Sequence, residues 1–252
     1  MIHRKPLHHR RQIPFYWDKT PSEFSQDPYE RYSEMVMRQS ALHLANSFTE
    51  SYPFQTILDW GSPYLAGEKI AEIGCGVGRW VGEMAKANTD ASFWGIDYSY
   101  QMLRQARDFW VEGKEVTIDM EHRGWEKIVL AGHQLKNLQF GLAKAEALPF
   151  ESASLDGICS SFLLDRVAEP GKVLEEMFRV LKVGGRMVLV SPLNFQRKAH
   201  WARFFPVERL IEFLEGIGFE IIDQGEFEVW ERLDAGGNGV CWRGVGVVGE
   251  RV

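Results

Sequence analysis

The sequence is poor in the features that mark several protein classes. Its 252 residues hold three cysteines, Cys75, Cys159 and Cys241, far apart and in no Cys-x-x-Cys or Cys/His spacing. That leaves no disulfide framework and no zinc pattern, so no metal is expected, and it fits a reducing cytoplasm. No apolar run reaches membrane-spanning length and no secretory signal opens the chain; a cytoplasmic protein without membrane contact is expected. Positive charge is not in excess: 29 Lys and Arg stand against 35 Asp and Glu, a net charge of −6. Nucleic acid is therefore not an expected partner. No internal repeat or long low-complexity tract is present. The one basic stretch is residues 1–12, with Arg4, Lys5, Arg10, Arg11, three histidines and no acid, which reads as a solvated, disordered arm.

What remains is ordinary globular composition, 45% hydrophobic and 25% charged, enough for one large α/β domain with additions. Residues 13–66 are rich in aromatics and helix formers, punctuated by Ser22-Glu23 and Pro28. They read as N-terminal helices leaning over a later core. From Lys69 short apolar runs alternate with helical periodicity. Strands are expected at Lys69–Ile73, Ser92–Ile96, Leu138–Ala143, Leu155–Ser160, Arg186–Val190, Phe219–Ile222 and Val240–Val248. Helices are expected at 79–87 and 100–110, on the stripe Val173, Met177 and Leu181, and on Leu210, Leu214 and Ile217. Gly184-Gly185 is read as the end of the third of these helices. The expected fold is α/β: a Rossmann-like, doubly wound, mostly parallel seven-stranded sheet with helices on both faces and an N-terminal helical cap. Residues 1–66 form the arm and cap, and 67–252 the ligand-binding domain. Residues 113–136 break the alternation and read as an insertion at the sheet edge.

The segment Ala71-Glu72-Ile73-Gly74-Cys75-Gly76-Val77-Gly78-Arg79 follows one strand and opens one helix. Alternate glycines permit a tight turn and a close ligand, and the helix N-terminus offers free N–H groups. A dinucleotide fingerprint needs Gly-x-Gly-x-x-Gly. Here its third glycine falls on Arg79 or Val81. Asp97 ends the second strand where a ribose could donate two hydroxyls to it, although a helix-cap role is open to it and to Ser99.

The pattern Glu-x-Gly-x-Gly-x-Gly resembles the first motif of class I S-adenosylmethionine (SAM) dependent methyltransferases. Further motifs of that superfamily follow in order. Ala145-Glu146-Ala147-Leu148-Pro149-Phe150 resembles the adenine-flanking loop, with Ala143-Lys144 where many relatives carry Gly-Asp. Ser160-Ser161-Phe162-Leu163-Leu164-Asp165-Arg166-Val167 resembles the fourth motif of small-molecule methyltransferases, where two histidines often stand at the positions of Asp165 and Arg166. Leu181-Lys182-Val183-Gly184-Gly185 resembles the turn before the fifth strand. The resemblance runs over about residues 69–223. It implies SAM as cofactor, held by Glu72, Gly74, Cys75, Gly76, Gly78, Asp97, Tyr98, Met102, Ala145, Glu146 and Ser160. Glu72 would meet the methionine ammonium, and the loop amides its carboxylate.

A narrower likeness rests on Leu164-Asp165-Arg166-Val167, on Ser191-Pro192 and on the long insertion. These resemble the N-methyltransferase domain of the ovothiol (mercaptohistidine) pathway, whose Ser-Pro-Tyr reads Ser191-Pro192-Leu193 here. It implies methyl transfer to a small polar metabolite at nitrogen, such as a histidine-derived imidazole. Ser161, Phe162, Ser191 and Asn194 would form the acceptor wall and Asp165 the catalytic group. His200 is the other candidate base, with a packing role as its alternative. Phe15, Tyr16, Trp17, Tyr29 and Tyr32 read as core or as pocket wall. Two other readings stay open: a non-catalytic SAM-binding protein of the same fold, and an NAD-dependent oxidoreductase, which the glycine spacing disfavours.

Overall fold

The computed structural model describes residues 2, 4–31, 33–46 and 51–252. Tyr32, one of the aromatic candidates, lies outside the described residues.

A hairpin of β1 (His8–Arg10) and β2 (Ile13–Phe15) comes first, then α1 (Pro21–Gln26), α2 (Pro28–Arg31), α3 (Ser33–Leu44) and α4 (Gln55–Gly61). The helix start is set by Thr20, not by Ser22. Its hydroxyl accepts from the Glu23 N–H at 3.2 Å while the Glu23 carboxylate takes the Thr20 N–H at 2.9 Å, a reciprocal capping box.

The alternating part then runs β3 (Lys69–Ile73), α5 (Arg79–Ala87), β4 (Ser92–Asp97) and α6 (Tyr100–Trp110). The short β5 (Val116–Ile118) and β6 (Ile128–Leu130) precede β7 (Leu138–Leu142) and β8 (Leu155–Ser161). The chain closes with α7 (Pro170–Val180), β9 (Leu181–Ser191), α8 (Lys198–Phe204), α9 (Val207–Gly216), β10 (Phe219–Arg232) and β11 (Gly239–Arg251).

The main sheet has the order β1-β2-β7-β4-β3-β8-β9-β11-β10. Pairing is parallel from β2 through β9 and antiparallel at both ends. The mostly parallel α/β architecture is as the periodicity implied. The sheet has nine strands instead of the expected seven. The extra pair is the β1–β2 hairpin, whose first strand comes from the basic 1–12 stretch expected to be a disordered arm. Phe15 registers against Leu142 and the Tyr16 N–H donates to the Leu142 carbonyl at 2.8 Å. The arm covers what would otherwise be an open edge at β7.

Strand alternation sorts the core into two layers. Ile70, Val188 and Val190 face a cluster built with α3, α4, α5 and α6, including Ile57, Val81 and Leu103. Ala71, Ile73, Met187 and Leu189 face the other cluster, with Leu174 and Met177 of α7 and Leu210 and Leu214 of α9. Helices therefore flank the sheet on both faces. Close packing tolerates no extra atom at Gly82, where a Cβ would lie 2.5 Å from the Trp110 indole.

Two further expectations are corrected. The 113–136 segment pairs with itself, as the separate β5–β6 sheet, and joins no strand of the main one. It is held against α3 by Glu34 with His122 and Arg123, each at 3.2 Å. The third predicted helix stops at Val180, and Gly184 lies inside β9 with φ +75°. Among the described residues no helix is long and apolar enough to cross a membrane.

Candidate functional site

Strand order reverses at β3: β4 and β7 follow on one side, β8 and β9 on the other. A crevice at the carboxyl ends of such strands is where ligands bind in open α/β sheets. The glycine loop, residues 74–78, lies there. Gly74, Gly76 and Gly78 all have positive φ, +73°, +54° and +76°, which side-chain-bearing residues rarely adopt. A Cβ on Gly74 would press on Leu163 at 3.0 Å, and one on Gly78 on Phe140 at 3.0 Å. Gly76 differs. Its Cβ position meets only the tip of Met102, at 3.9 Å. The turn thus packs through Gly74 and Gly78 and opens through Gly76.

The loop amides do not wait for a ligand carboxylate, as the motif had suggested. The Gly74 and Cys75 N–H groups donate to the Ile96 carbonyl at 2.8 and 3.1 Å, and Gly78 donates to Cys75 at 2.8 Å. The Gly76 N–H donates to Asp97 Oδ2 at 2.8 Å. The reason is the parallel neighbour: the end of β4 runs directly beside the loop and satisfies it. Cys75 is buried, with its thiol pushed up by that burial, and packs where it cannot act as a nucleophile.

Glu72 lies beneath this turn, buried, and its Oε2 accepts the Val81 N–H at 2.9 Å. The residue before α5 is Gly78, which has no side chain to cap the helix, so a strand carboxylate does it instead. Burial pushes the Glu72 carboxyl up to about 8, against the Val81 hydrogen bond.

Asp97 is held from two sides. Besides Gly76, its Oδ1 accepts the Ser99 N–H at 2.7 Å, and Ser99 caps α6 through the Met102 N–H at 3.4 Å. Burial raises the carboxyl of Asp97, with the two backbone donors pulling it back. A carboxylate can accept about four hydrogen bonds, so two donors leave capacity for a further pair. An open glycine face beside a half-buried carboxylate with spare acceptor sites fits a nucleoside bearing two adjacent hydroxyls.

On the adenine side Ala145 is buried and Glu146 half-buried. Lys144, where many relatives carry an acid, is bound to Glu23 of α1 at 2.7 Å and lies 3.9 Å over the Trp17 ring. The Trp17 Nε1 beneath it is buried without a partner. A carboxylate is therefore present at this corner, but it comes from the N-terminal helices.

The candidates on the acceptor side do not form one wall. Ser160 is buried and donates to the Ile73 carbonyl at 2.8 Å, tying β8 to β3. Ser191 is buried, donates to Asp165 at 3.3 Å and accepts from the Leu193 N–H at 3.1 Å. The Asp165 side chain is 0% exposed, with its second oxygen 3.4 Å from Arg166 Nε. The second oxygen of Asp165, Oδ2, is buried without a hydrogen-bond partner. Asn194 is exposed. His200 stacks edge-on against Phe195, with centroids 5.9 Å apart, a packing role. Ser161 and Phe162 are half-buried. Phe162, at φ +56°, places its ring 5.2 Å from Phe54 and 6.4 Å from Trp242.

The aromatic candidates divide, and several charged residues here escaped the sequence. Phe15 and Tyr16 are core, while Trp17 and Tyr29 are half-buried. Burial and the neighbouring Asp97 raise the Tyr29 phenol, opposed by Arg166. Lys19 is buried between Asp27 at 2.6 Å and Glu30 at 3.0 Å. Glu231 of β10 takes both Arg38 of α3 and, at 3.0 Å, the Trp242 indole N–H. Arg166 lies 5.7 Å over that indole. Only Asp27-Pro28 carried a local signal, as a helix start. The Arg38–Glu231 and Arg166–Trp242 pairings join residues remote in sequence.

Residues 71–189 match the family described as a methyltransferase domain. The chain is similar to a demethylmenaquinone methyltransferase of Lactococcus lactis, 31% identical over 128 residues, covering 50% of this chain and 43% of that protein. It is also similar to the ubiquinone/menaquinone biosynthesis C-methyltransferase UbiE of Salmonella arizonae, 41% identical over 77 residues, covering 31% of this chain and 30% of that one. The match thus spans less than half the length of these curated relatives. Among solved structures, a SAM-dependent methyltransferase of Methanosarcina mazei superposes with a TM-score of 0.52 at 21% identity, over 76% of this chain and 96% of that one.

Proposed function

We propose that this protein transfers a methyl group from SAM to a small polar metabolite; the match of residues 71–189 to a methyltransferase domain supports the methyl-transfer reading. The acceptor atom is a nitrogen, with a histidine-derived imidazole as the favoured class. The observation that carries the methyl-transfer reading is the pairing of the open Gly76 face with the doubly held Asp97 carboxylate.

SAM, when bound, supplies an electrophilic methyl group on a sulfonium, so the protein has chiefly to position and to exclude water. Asp97 accepts the ribose hydroxyls. Gly76 admits the ligand against the backbone. Glu72 holds the start of α5, and with it the loop, from below. Phe162, Tyr29 and Trp242 supply apolar surface on the acceptor side. We further propose that residues 1–66 act as the roof of this site and 67–252 as its floor.

Nitrogen is favoured by what surrounds the crevice. Asp165 is buried and held by Ser191 through one oxygen, with Arg166 beside the other. His43 is buried between Tyr52 at 2.7 Å and Gln39 at 3.1 Å, and burial lowers it to about 4. Among the described residues none of these groups is an exposed base facing the glycine loop. A neutral imidazole or amine needs no base to attack a methyl group, whereas an alcohol does.

Carbon methylation of a quinol is the second reading, supported by what the two curated relatives are named for. A protein that binds SAM without turning over is the third. Transfer of labelled methyl from SAM to a panel of histidine derivatives, amines, phenols, naphthols, carboxylates and tRNA separates them. Preferred transfer to a histidine derivative or amine is expected. Preference for a naphthol replaces the nitrogen reading, preference for tRNA removes the small acceptor, and binding without any transfer leaves the third reading.

A further inference from the structure

The most unusual charge cluster outside the glycine loop is the Lys19, Asp27 and Glu30 triad. All three side chains are at most 7% exposed. Lys19 Nζ lies 2.6 Å from Asp27, 3.0 Å from Glu30 and 4.2 Å over the ring of Tyr98. Burying three charges in one place is costly and adds little net stability compared with an apolar core. A role in holding geometry is therefore the better account.

The geometry leads to the nucleoside site. The Glu30 oxygen that meets Lys19 also accepts the Tyr100 N–H, at 2.8 Å. Tyr100 is the first residue of α6, and its predecessor Ser99 donates its own N–H to Asp97. Asp97 in turn holds Gly76. One continuous chain of charge-assisted bonds thus runs from the N-terminal helices through the 97–100 turn to the open glycine. Tyr98, the ring beneath Lys19, belongs to that same turn.

We propose that this triad is a latch that positions the 97–100 turn for the ribose of SAM, so that Lys19 and Glu30 are positioning residues for the cofactor although they lie outside the matched domain. The inference rests on the SAM reading above. Without Lys19, Asp27 and Glu30 repel each other, α2 loses its hold on the start of α6, and the Asp97 carboxylate is no longer aimed.

The test is calorimetric titration of SAM, adenosine and 2′,3′-dideoxyadenosine into the full chain. Lys19→Met and Glu30→Gln are expected to weaken SAM and adenosine by the same factor, about tenfold, the loss of roughly one charge-assisted hydrogen bond. Lys19→Arg restores binding to within about threefold of wild type on the same scale. Dideoxyadenosine, which lacks both ribose hydroxyls, is indifferent to all of them. Because Lys19→Met leaves unpaired buried acids, the neutral triple variant Lys19→Met/Asp27→Asn/Glu30→Gln is measured beside it and should show the same loss in a folded protein. Asp223→Ala, which removes the acceptor of Trp60 and Tyr64 at 2.9 and 2.6 Å, controls for general destabilisation and should bind SAM normally. Wild-type SAM affinity in the triple variant, an equal loss in Asp223→Ala, or an equal loss for dideoxyadenosine overturns the latch while leaving the SAM reading intact. Absence of SAM binding in the wild-type protein overturns both.

Discussion

The glycine loop and the layer that roofs it are built by opposite means. From Glu72 to Ser99 the site is a local backbone device: loop amides turn onto Ile96 and Asp97, and a strand acid caps the following helix. The roof is assembled from side-chain pairs that reach across the chain. Glu30 reaches Tyr100, Glu23 reaches Lys144, and Arg38 reaches Glu231. The difference teaches where each property resides. On the proposed reading, cofactor binding rests on the backbone shape of the loop together with the Asp97 carboxylate beside it. Aim and acceptor choice rest on charged and aromatic contacts, each of which can be altered singly.

Substitutions that strike one region and spare the other sharpen the contrast. The largest effect is expected at Gly76→Val, which forces a β-branched residue to φ +54° and fills the open face of the turn. SAM binding should fall by at least about 100-fold, the product of strain and lost access. Circular dichroism should stay native, because a Cβ there meets no packed atom. Unchanged calorimetric affinity removes the loop from the site.

Next in size is Asp97→Ala, which loses charge-assisted bonds of about 1.5–3 kcal/mol each. SAM should weaken by roughly 10- to 100-fold. Glu146→Ala should cost less, because its half-buried side chain reaches only the adenine edge. Equal losses at the two positions misplace the nucleoside.

Glu72 gives the third effect, as a pH dependence. Its carboxyl titrates at about 8 in the folded chain and near 4.3 when unfolded. Between those values the folded state binds the extra proton. Stability from this group is therefore full below about pH 4 and is lost as pH rises through 8. Glu72→Gln can still accept from Val81 and removes the titration. Its melting temperature should exceed wild type at pH 8.5 and converge with it at pH 5, a gap on the order of a few kcal/mol. Parallel melting curves across that range refute the buried acid.

The smallest effect belongs to the roof. Arg38→Leu leaves Glu231 to the Trp242 indole N–H and should cost about 1–3 kcal/mol of stability, since that acid is 7% exposed. SAM affinity should stay within about twofold while the KM for the acceptor rises, because Trp242 loosens. A matching loss of SAM affinity would merge the two regions into one.

The sequence by itself determined the inner half of the molecule. The bounds read for β3, α5 and α6 are those of the structure, because the period of apolar residues is a local property that the finished sheet only confirms. The glycine spacing and the acid at the end of β4 were equally local, and they sufficed to separate a SAM pattern from a dinucleotide one. Tertiary structure decided what depended on a neighbour. His8–Arg10 is exposed on all three residues and has the composition of a tail; it is a strand because β2, laid on the β7 edge, gives it a partner. Glycines and alternating polar residues hid the length of β10 and β11, whose regular pairing carries them well beyond the predicted runs. Asp165 and Ser191 each follow a strand end where ligands gather, and nothing local says that they turn inward onto each other. Lys19, Asp27 and Glu30 carried no signal of their pairing in the sequence. Only the approach of α6 removes their water, and a charge's partner is set by distance in space, which periodicity does not encode.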